Sequence, residues 1–184
     1  MSILGDQSTF AIQCEVSDLM YDPPQAHLRV WIGDKPVGDY EDVIILSASV
    51  SYLLDFLKFT GDRYEPDLDE KSKEEVFQLI FDSVIYTVPA GKTLSEIVAN
   101  HNPSDHDIQP PYENIEKRFH LESFGMSSFL DKYNLILVET RNKKQRLIWR
   151  ALSDMELHEI LLEPMTFETV ANQFLAWSEA VLCS

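Results

Sequence analysis

The chain has 184 residues, a length that suits one domain with a substantial buried core, and we expect residues 1–184 to form a single domain. Its apolar fraction of 45% and aromatic fraction of 11% exclude the disordered and fibrous classes. Because 31 acidic residues outnumber 15 lysines and arginines, the net charge is −16, which disfavours nucleic acid and membrane surfaces as partners and favours cationic ones.

The negative charge is unevenly distributed along the chain. Residues 1–116 hold 22 acids and 7 bases, whereas residues 117–184 hold 9 acids and 8 bases. This asymmetry predicts one strongly negative face, although acidic proteins also use such charge for solubility alone. The N-terminal sequence MSILGDQSTF lacks the features of a secretory signal, and no apolar run is long enough to span a bilayer, so we expect a cytoplasmic protein.

The first elements in chain order are predicted strands. Alternating apolar residues predict a half-buried strand over residues 10–16 and a second strand over residues 27–32. Residues 33–36, Gly-Asp-Lys-Pro, predict a turn, and residues 37–40 a short return strand that closes a hairpin. The two cysteines, Cys14 and Cys183, lie in apolar-periodic segments and are expected to be buried thiols.

Helical periodicity follows, since apolar residues recur three and four positions apart over residues 43–59. This helix is predicted to be entered through a short strand at residues 43–46, and Gly61 is placed to end it. Residues 62–75 carry seven acids, and a second helix is expected to begin near Ser72. A short helix over residues 93–100 and a proline-rich loop over residues 101–111 come next.

The C-terminal third predicts a hairpin, a strand and a helix. Residues 135–140 and 146–150 form the hairpin around a polar turn, and residues 157–162 form another strand. Thr166 is predicted to cap a closing amphipathic helix. Because hairpins imply antiparallel pairing, the predicted fold class is α+β, with a single antiparallel sheet built from hairpins and helices packed on one face.

The sequence lacks the common catalytic and cofactor-binding motifs. It contains no GxGxxG, phosphate-binding lysine loop, GxSxG or HExxH, and we assign no catalytic residue and no cofactor. His101 and His106 lie close to Asp105 and Asp107, but their spacing suits a solvated loop better than a tetrahedral metal site. The acids Asp67, Asp69 and Glu70 lack the order of a calcium-binding loop, so no metal site is predicted either.

Two aromatic residues are candidates for partner contacts. Trp31 lies on the strand face opposite Leu28, Val30 and Ile32, so either a helix covers it, which we favour, or it is an exposed interface anchor. Tyr40 is surrounded by acids, an arrangement that suits a basic partner, although ordinary packing at a strand end would account for it equally well.

Three stretches of the sequence resemble one protein family. They are Gly5-Asp6 followed by Phe-Ala-Ile-Gln at residues 10–13, then HLRVWIGDKPVGDY at residues 27–40, and RLIW at residues 146–149. In this order, before a closing amphipathic helix, they resemble the immunity protein 42 family of bacterial polymorphic toxin systems. The resemblance is best over residues 5–40, and residues 61–130 contribute little to it.

The resemblance implies a small α+β protein that is encoded beside a toxin and neutralises it by binding. The partner would then be a cognate toxin, which the acidic surface of this chain predicts to be basic. A structural or adaptor protein, as a homodimer, and an enzyme of unrecognised type are the alternatives, and the sequence leaves monomer and dimer open. The predicted contact residues are Asp34, Asp39, Tyr40, Glu41, Asp42, Asp62, Glu65, Asp67, Asp69 and Glu70.

Overall fold

The computed structural model describes residues 1–18, 23–85, 117–126, 129 and 132–183. The strands are β1 (Ser2–Asp6), β2 (Phe10–Asp18), β3 (Gln25–Ile32), β4 (Lys35–Val37), β5 (Val43–Ile45), β6 (Tyr133–Glu139), β7 (Gln145–Ala151) and β8 (His158–Leu162). The α-helices are α1 (Leu46–Leu57), α2 (Lys73–Ile85) and α3 (Thr166–Leu182), and short 3₁₀ helices occupy Pro66–Leu68 and Glu122–Gly125. The predicted helix at residues 93–100 and the loop with His101, Asp105, His106 and Asp107 lie outside the described residues.

Sheet A contains the five N-terminal strands in the antiparallel order β1-β2-β3-β4, and β5 pairs with the other half of the β3 edge that β4 occupies. Gly33 and Asp34 form a two-residue turn between β3 and β4, and both have positive φ, 57° and 64°. Such a turn matches the right-handed twist of the strands, and it confirms the predicted hairpin. The return strand is Lys35–Val37 rather than residues 37–40, because the turn needs only two residues.

Sheet B has the order β6-β7-β8, and its strands β6 and β7 are largely buried on both faces, while Glu159 and Leu161 of the edge strand β8 are exposed. Leu135, Leu137 and Leu147 face the same apolar core as sheet A, α1 and α3. The opposite face of sheet B, with Ile136 and Ile148, packs against the apolar side of α2. Burial on both faces explains why β6 is a nearly continuous apolar run instead of an alternating one.

The α+β class and the antiparallel pairing are confirmed, but the prediction of one sheet needs correction, because the strands form two sheets. The β6 edge has isolated bridges from residues 64 and 120, while β4 and β5 occupy the second edge of β3. Alternation in a sequence reveals a hairpin, but it does not reveal which edges meet. Helices also lie on more than one side, since α1 and α3 share a core with sheet A and α2 packs on sheet B.

The helix ends agree with the sequence in one case and differ in another. Ser72 begins α2 with a capping box, in which the Ser72 hydroxyl accepts from the Glu75 amide at 3.2 Å and the Glu75 carboxylate accepts from the Ser72 amide at 3.0 Å. Thr166 does not cap α3. It is the first helical residue, and its hydroxyl donates to the Glu163 carbonyl. The free amide of Phe167 donates instead to Oε1 of Gln145 on β7, at 2.9 Å.

The two cysteines differ in environment. Cys14 is buried on the core face of β2, where burial raises the pKa of its thiol to about 12. Cys183 is exposed, which corrects the prediction of two buried thiols. It lies just beyond the last residue of α3, where helical periodicity no longer fixes which way a side chain faces.

Candidate partner-binding surface

The face of sheet A that points away from the core is defined by the strand register. We call it the outer face. It comprises Ile3 of β1; Ala11, Gln13 and Glu15 of β2; Gln25, His27, Arg29 and Trp31 of β3; Pro36 of β4; and Val43 and Ile45 of β5. Ala11 and Gln13 are buried, and the other residues are half-buried or exposed.

Three side chains form an aromatic cluster in the middle of the outer face. The Arg29 guanidinium carbon lies 4.8 Å from the ring centroid of Trp31 and 5.0 Å from that of Tyr40. Oε1 of Gln13 accepts hydrogen bonds from Arg29 Nε at 2.9 Å and from Trp31 Nε1 at 2.8 Å. Stacking and hydrogen bonding together fix the orientation of the cluster (Arg29, Trp31 and Tyr40).

Trp31 is half-buried, so neither predicted alternative holds in full. Arg29 of its own strand covers one side of its ring. Tyr40 is also half-buried; its hydroxyl donates to Glu15 at 3.3 Å and its ring lies 5.6 Å from that of His27. Burial, aided by the negative charge of Glu15, raises the pKa of Tyr40, which therefore stays neutral at physiological pH.

An acidic turn, residues 39–42, lies directly before β5. Nζ of Lys132 bridges its two aspartates, at 2.6 Å from Asp39 and 2.8 Å from Asp42. Hydrogen bonds from Lys132 and from the Glu41 amide hold the pKa of Asp39 below its usual value, and the same pairing raises the pKa of Lys132. Glu41 is exposed. The turn therefore carries three acidic side chains, of which Lys132 pairs with two, so these four groups together have a net negative charge.

The remaining predicted acids lie in a different place. Asp62, Glu65, Asp67, Asp69 and Glu70 form an acidic loop between α1 and α2, which runs beside sheet B through a bridge between Tyr64 and Glu139. Arg118 binds Glu65 at 2.6 Å, and Asp69 accepts from the Arg141 amide at 2.9 Å. Asp34 is exposed in the β3–β4 turn. The structure thus gathers the predicted residues into two groups, one on each sheet, with Asp34 at the hairpin.

A buried ion pair anchors the acidic loop. Arg63, completely buried, binds Glu168 of α3 at 3.2 Å and donates to the carbonyls of Phe56 and Arg118. Glu168 also accepts from Gln145, the residue that caps α3. Burial lowers the pKa of Arg63 to about 10, which still leaves it charged at neutral pH. Nothing in the sequence pattern distinguishes Arg63 from a surface arginine.

Sequence reasoning also missed Ile3, Val43 and Ile45, although a signal for two of them existed. The segment Val43-Ile44-Ile45 is apolar at every position, so a strand there has an apolar residue on each face. Ile44 is buried in the core, while Val43 is 42% exposed and Ile45 38%. A shallow groove of about 640 Å³ between α1 and α3, lined in part by Leu54 and Leu175, is a second surface feature.

The described residues hold no cluster of three potential metal ligands. Among the same residues, no helix has the length and apolarity to cross a membrane.

A profile of the immunity protein 42 family matches residues 1–177. The chain is therefore an immunity protein, a member of the class that binds and neutralises a cognate toxin. It belongs to the immunity protein 42 family, as the resemblance in the sequence predicted.

Its fold is similar to that of a CdiI protein from Burkholderia dolosa AUO158, whose crystal structure superposes with a TM-score of 0.65. The two chains are 19% identical, and the similarity covers 96% of this chain and 99% of that one. At this identity the likeness establishes a shared fold. No curated protein matches the sequence.

Proposed function

We propose that this immunity protein neutralises its toxin as a stoichiometric protein inhibitor in the cytoplasm, without catalysing a reaction, and that residues 1–184 act as one domain. Its acidic surface, the ten residues predicted above from Asp34 to Glu70, meets a basic surface of the toxin. Opposite charges would steer the encounter, and buried apolar contacts would hold the complex.

The observation that carries this proposal is the composition of the acidic turn and its neighbourhood. Asp39, Glu41 and Asp42 bring three negative charges to one turn, and Lys132 pairs with Asp39 and Asp42. Tyr40 lies within the same turn and packs against Arg29. Charge beside a fixed aromatic side chain is the combination found at protein interfaces of high affinity.

Charge reversal tests the role of this surface in association. Glu41→Lys should slow association with the toxin domain encoded beside the gene by roughly threefold at low salt, and Glu41→Lys combined with Asp62→Lys and Glu70→Lys by roughly tenfold or more. Stopped-flow mixing at several salt concentrations measures the rate, and the difference should shrink as salt screens the charges.

The matched control is Glu179→Lys. Glu179 is exposed on α3, which packs on the opposite side of sheet A, and this substitution changes the net charge by the same amount as Glu41→Lys. If the Glu41 and Glu179 variants associate at the same rate at low salt, the acidic turn has no part in steering. A wild-type chain that fails to bind or inhibit the toxin domain would refute the proposed function itself.

A further inference from the structure

We infer that the outer face of sheet A is the docking surface for the toxin, and that the toxin covers it with an apolar patch bordered by lysine and arginine side chains. This inference rests on the proposed function, which requires a toxin-binding surface but locates it only by the distribution of acids. The outer face adds an apolar centre, a position in the fold and a partner chemistry.

The outer face carries apolar side chains at positions that face water. Ile3 on β1 and Val43 and Ile45 on β5 are 43%, 42% and 38% exposed, and the register places all three on the outer face. A solvated sheet face normally carries polar residues at these positions. Exposed aliphatic side chains at both margins of one sheet face are characteristic of an interaction surface.

The aromatic cluster lies between those two margins of the outer face. Trp, Tyr and Arg are the residue types that contribute most to binding energy at protein interfaces. Gln13 holds both Arg29 and Trp31 in place, and Arg29 packs against the rings of Trp31 and Tyr40. Because these side chains are already ordered, binding would cost little additional conformational entropy.

Charged residues beside the outer face determine which kind of partner fits it. Glu15 and the acidic turn with Asp39, Glu41 and Asp42 lie beside each other at one end of the face, where the Tyr40 hydroxyl donates to Glu15 at 3.3 Å. The N-terminal ammonium pairs with Glu15 at 3.4 Å. Lys132 offsets part of this charge. A basic partner gains from such a border, whereas a second copy of this chain would bring the same negative border and be repelled. The charge therefore favours the toxin over self-association.

The groove between α1 and α3 is less suited to this role. Its charged residues, Asp55 and Lys58, pair with each other at 2.6 Å, so they do not select a basic partner. Its lining contains leucines but none of the aromatic side chains that typically anchor an interface. Leu54, 49% exposed in this groove, instead provides a matched control.

The test compares two substitutions at one position with the same substitution elsewhere. Ile45→Arg places a positive charge against the basic border of the toxin and should weaken binding of the toxin domain about 30-fold or more. Ile45→Glu removes the same apolar contact but introduces a negative charge, which the basic border of the toxin favours, so the loss of binding affinity should be smaller than for Ile45→Arg. Leu54→Arg should bind within about twofold of the wild-type chain, and thermal melting would establish that each variant folds.

Hydroxyl-radical footprinting of the unmutated chain gives a second measurement that does not depend on any variant. Trp31, Tyr40 and Ile45 should be oxidised in the free protein and protected in the complex, while Leu54 should change little. Protection of Trp31 and Ile45 already in the free monomer would overturn the inference, since another part of the chain would then cover the face.

The remaining outcomes separate this inference from the proposed function. If the wild-type chain binds and inhibits the toxin domain but the Ile45→Arg variant binds equally well, the outer face is not the docking surface, and the proposed function stands. A dimer in light scattering that Ile45→Arg dissociates would identify a second copy as the occupant and overturn the inference. If the wild-type chain does not bind the toxin domain at all, the proposed function fails.

Discussion

Sheets A and B differ in how the rest of the molecule covers them. Sheet B lies between the main core and α2, which cover both faces of β6 and β7, while Glu159 and Leu161 of the edge strand β8 are exposed. Sheet A shares the main core through one face, while the outer face carries half-buried and exposed side chains. A fold that packs two strands of one sheet on both sides can leave a face of the other sheet for contact with a partner.

The charged side chains follow the same division. In sheet B, Arg146 binds Glu159 at 2.6 Å and donates to the carbonyls of Leu68 and Lys71, so each of its three guanidinium nitrogens donates a hydrogen bond. On sheet A, Arg29 stacks on aromatic rings at the surface and Lys132 bridges two half-exposed aspartates. The buried charges near sheet B should therefore matter for stability, and the exposed charges of the acidic turn and the acidic loop for partner binding.

The largest effect is expected from breaking the buried ion pair. Arg63→Met leaves Glu168 charged and buried without its cationic partner and removes the donors to the carbonyls of Phe56 and Arg118. The free energy of unfolding should fall by about 3–5 kcal/mol, measured by urea denaturation.

The double variant Arg63→Met with Glu168→Leu provides the control. It removes both buried charges together, so it should be more stable than Arg63→Met alone. A single variant that loses less than about 1 kcal/mol, the usual size for an exposed pair, would show that Arg63 is not held as described.

A smaller effect is expected where sheet A meets α3. Gly5 has a φ of 95°, and a Cβ there would lie 2.5 Å from the Phe10 carbonyl oxygen and 2.6 Å from Val170 Cγ2. Gly5→Ala should therefore destabilise the protein by about 3 kcal/mol, since backbone strain and overpacking act together.

Gly61→Ala separates these two causes. Gly61 also has a positive φ, 80°, but no atom lies within 4 Å of an added Cβ. Gly61→Ala should lower the free energy of unfolding by about 1 kcal/mol, from backbone strain alone. Equal losses for the two variants in thermal denaturation would mean that the close approach of α3 to β1 contributes nothing.

The smallest effect is expected at the acidic turn, and it should depend on pH. Because the pKa of folded Asp39 lies below its usual value of 3.8, its contribution to stability is present above that pH and is lost as the pH falls through the folded pKa. Lys132→Met removes the main cause of the shift. The variant should be slightly less stable than the wild type at pH 7, and the difference should shrink in acid.

Urea denaturation at a series of pH values measures this difference, with Lys144→Met as the control. Lys144 pairs with an exposed glutamate, Glu163, on sheet B, and its exposed fraction of 40% equals that of Lys132. A gap between wild type and Lys132→Met that stays constant into strong acid would contradict the role assigned to Asp39.

Local patterns were sufficient for most of the secondary structure. Alternation predicted β2, β3 and β7, and an apolar run predicted β6. A strand was also predicted at residues 157–162, where β8 lies, and helical spacing predicted α1 and α3. The start of α2 near Ser72 was predicted correctly, because Ser72 and Glu75 satisfy each other's backbone amides within one turn. β1 was missed, since the edge strand Ser2–Asp6 contains a glycine and alternates only weakly between half-buried and exposed positions.

Long-range contacts account for the errors. The cap of α3 comes from Gln145, which is 22 residues before Phe167 in the sequence. Trp31 was predicted to lie either under a helix or exposed at an interface, but it is half-buried, and Arg29 and Gln13 of sheet A fix its orientation. Similarly, the ten candidate contact residues look continuous in sequence, although they separate into a turn and a hairpin on sheet A and a loop beside sheet B.

The sequence by itself determined the family, the α+β class, the antiparallel hairpins and the excess of negative charge, because each depends on composition or on neighbours within a few residues. Tertiary structure alone decided that there are two sheets, that Arg63 is buried while Arg29 is at the surface, and that Ile3 and Ile45 share one face. These features depend on which strand edges pair and which faces are covered, and residues far apart in the chain settle both.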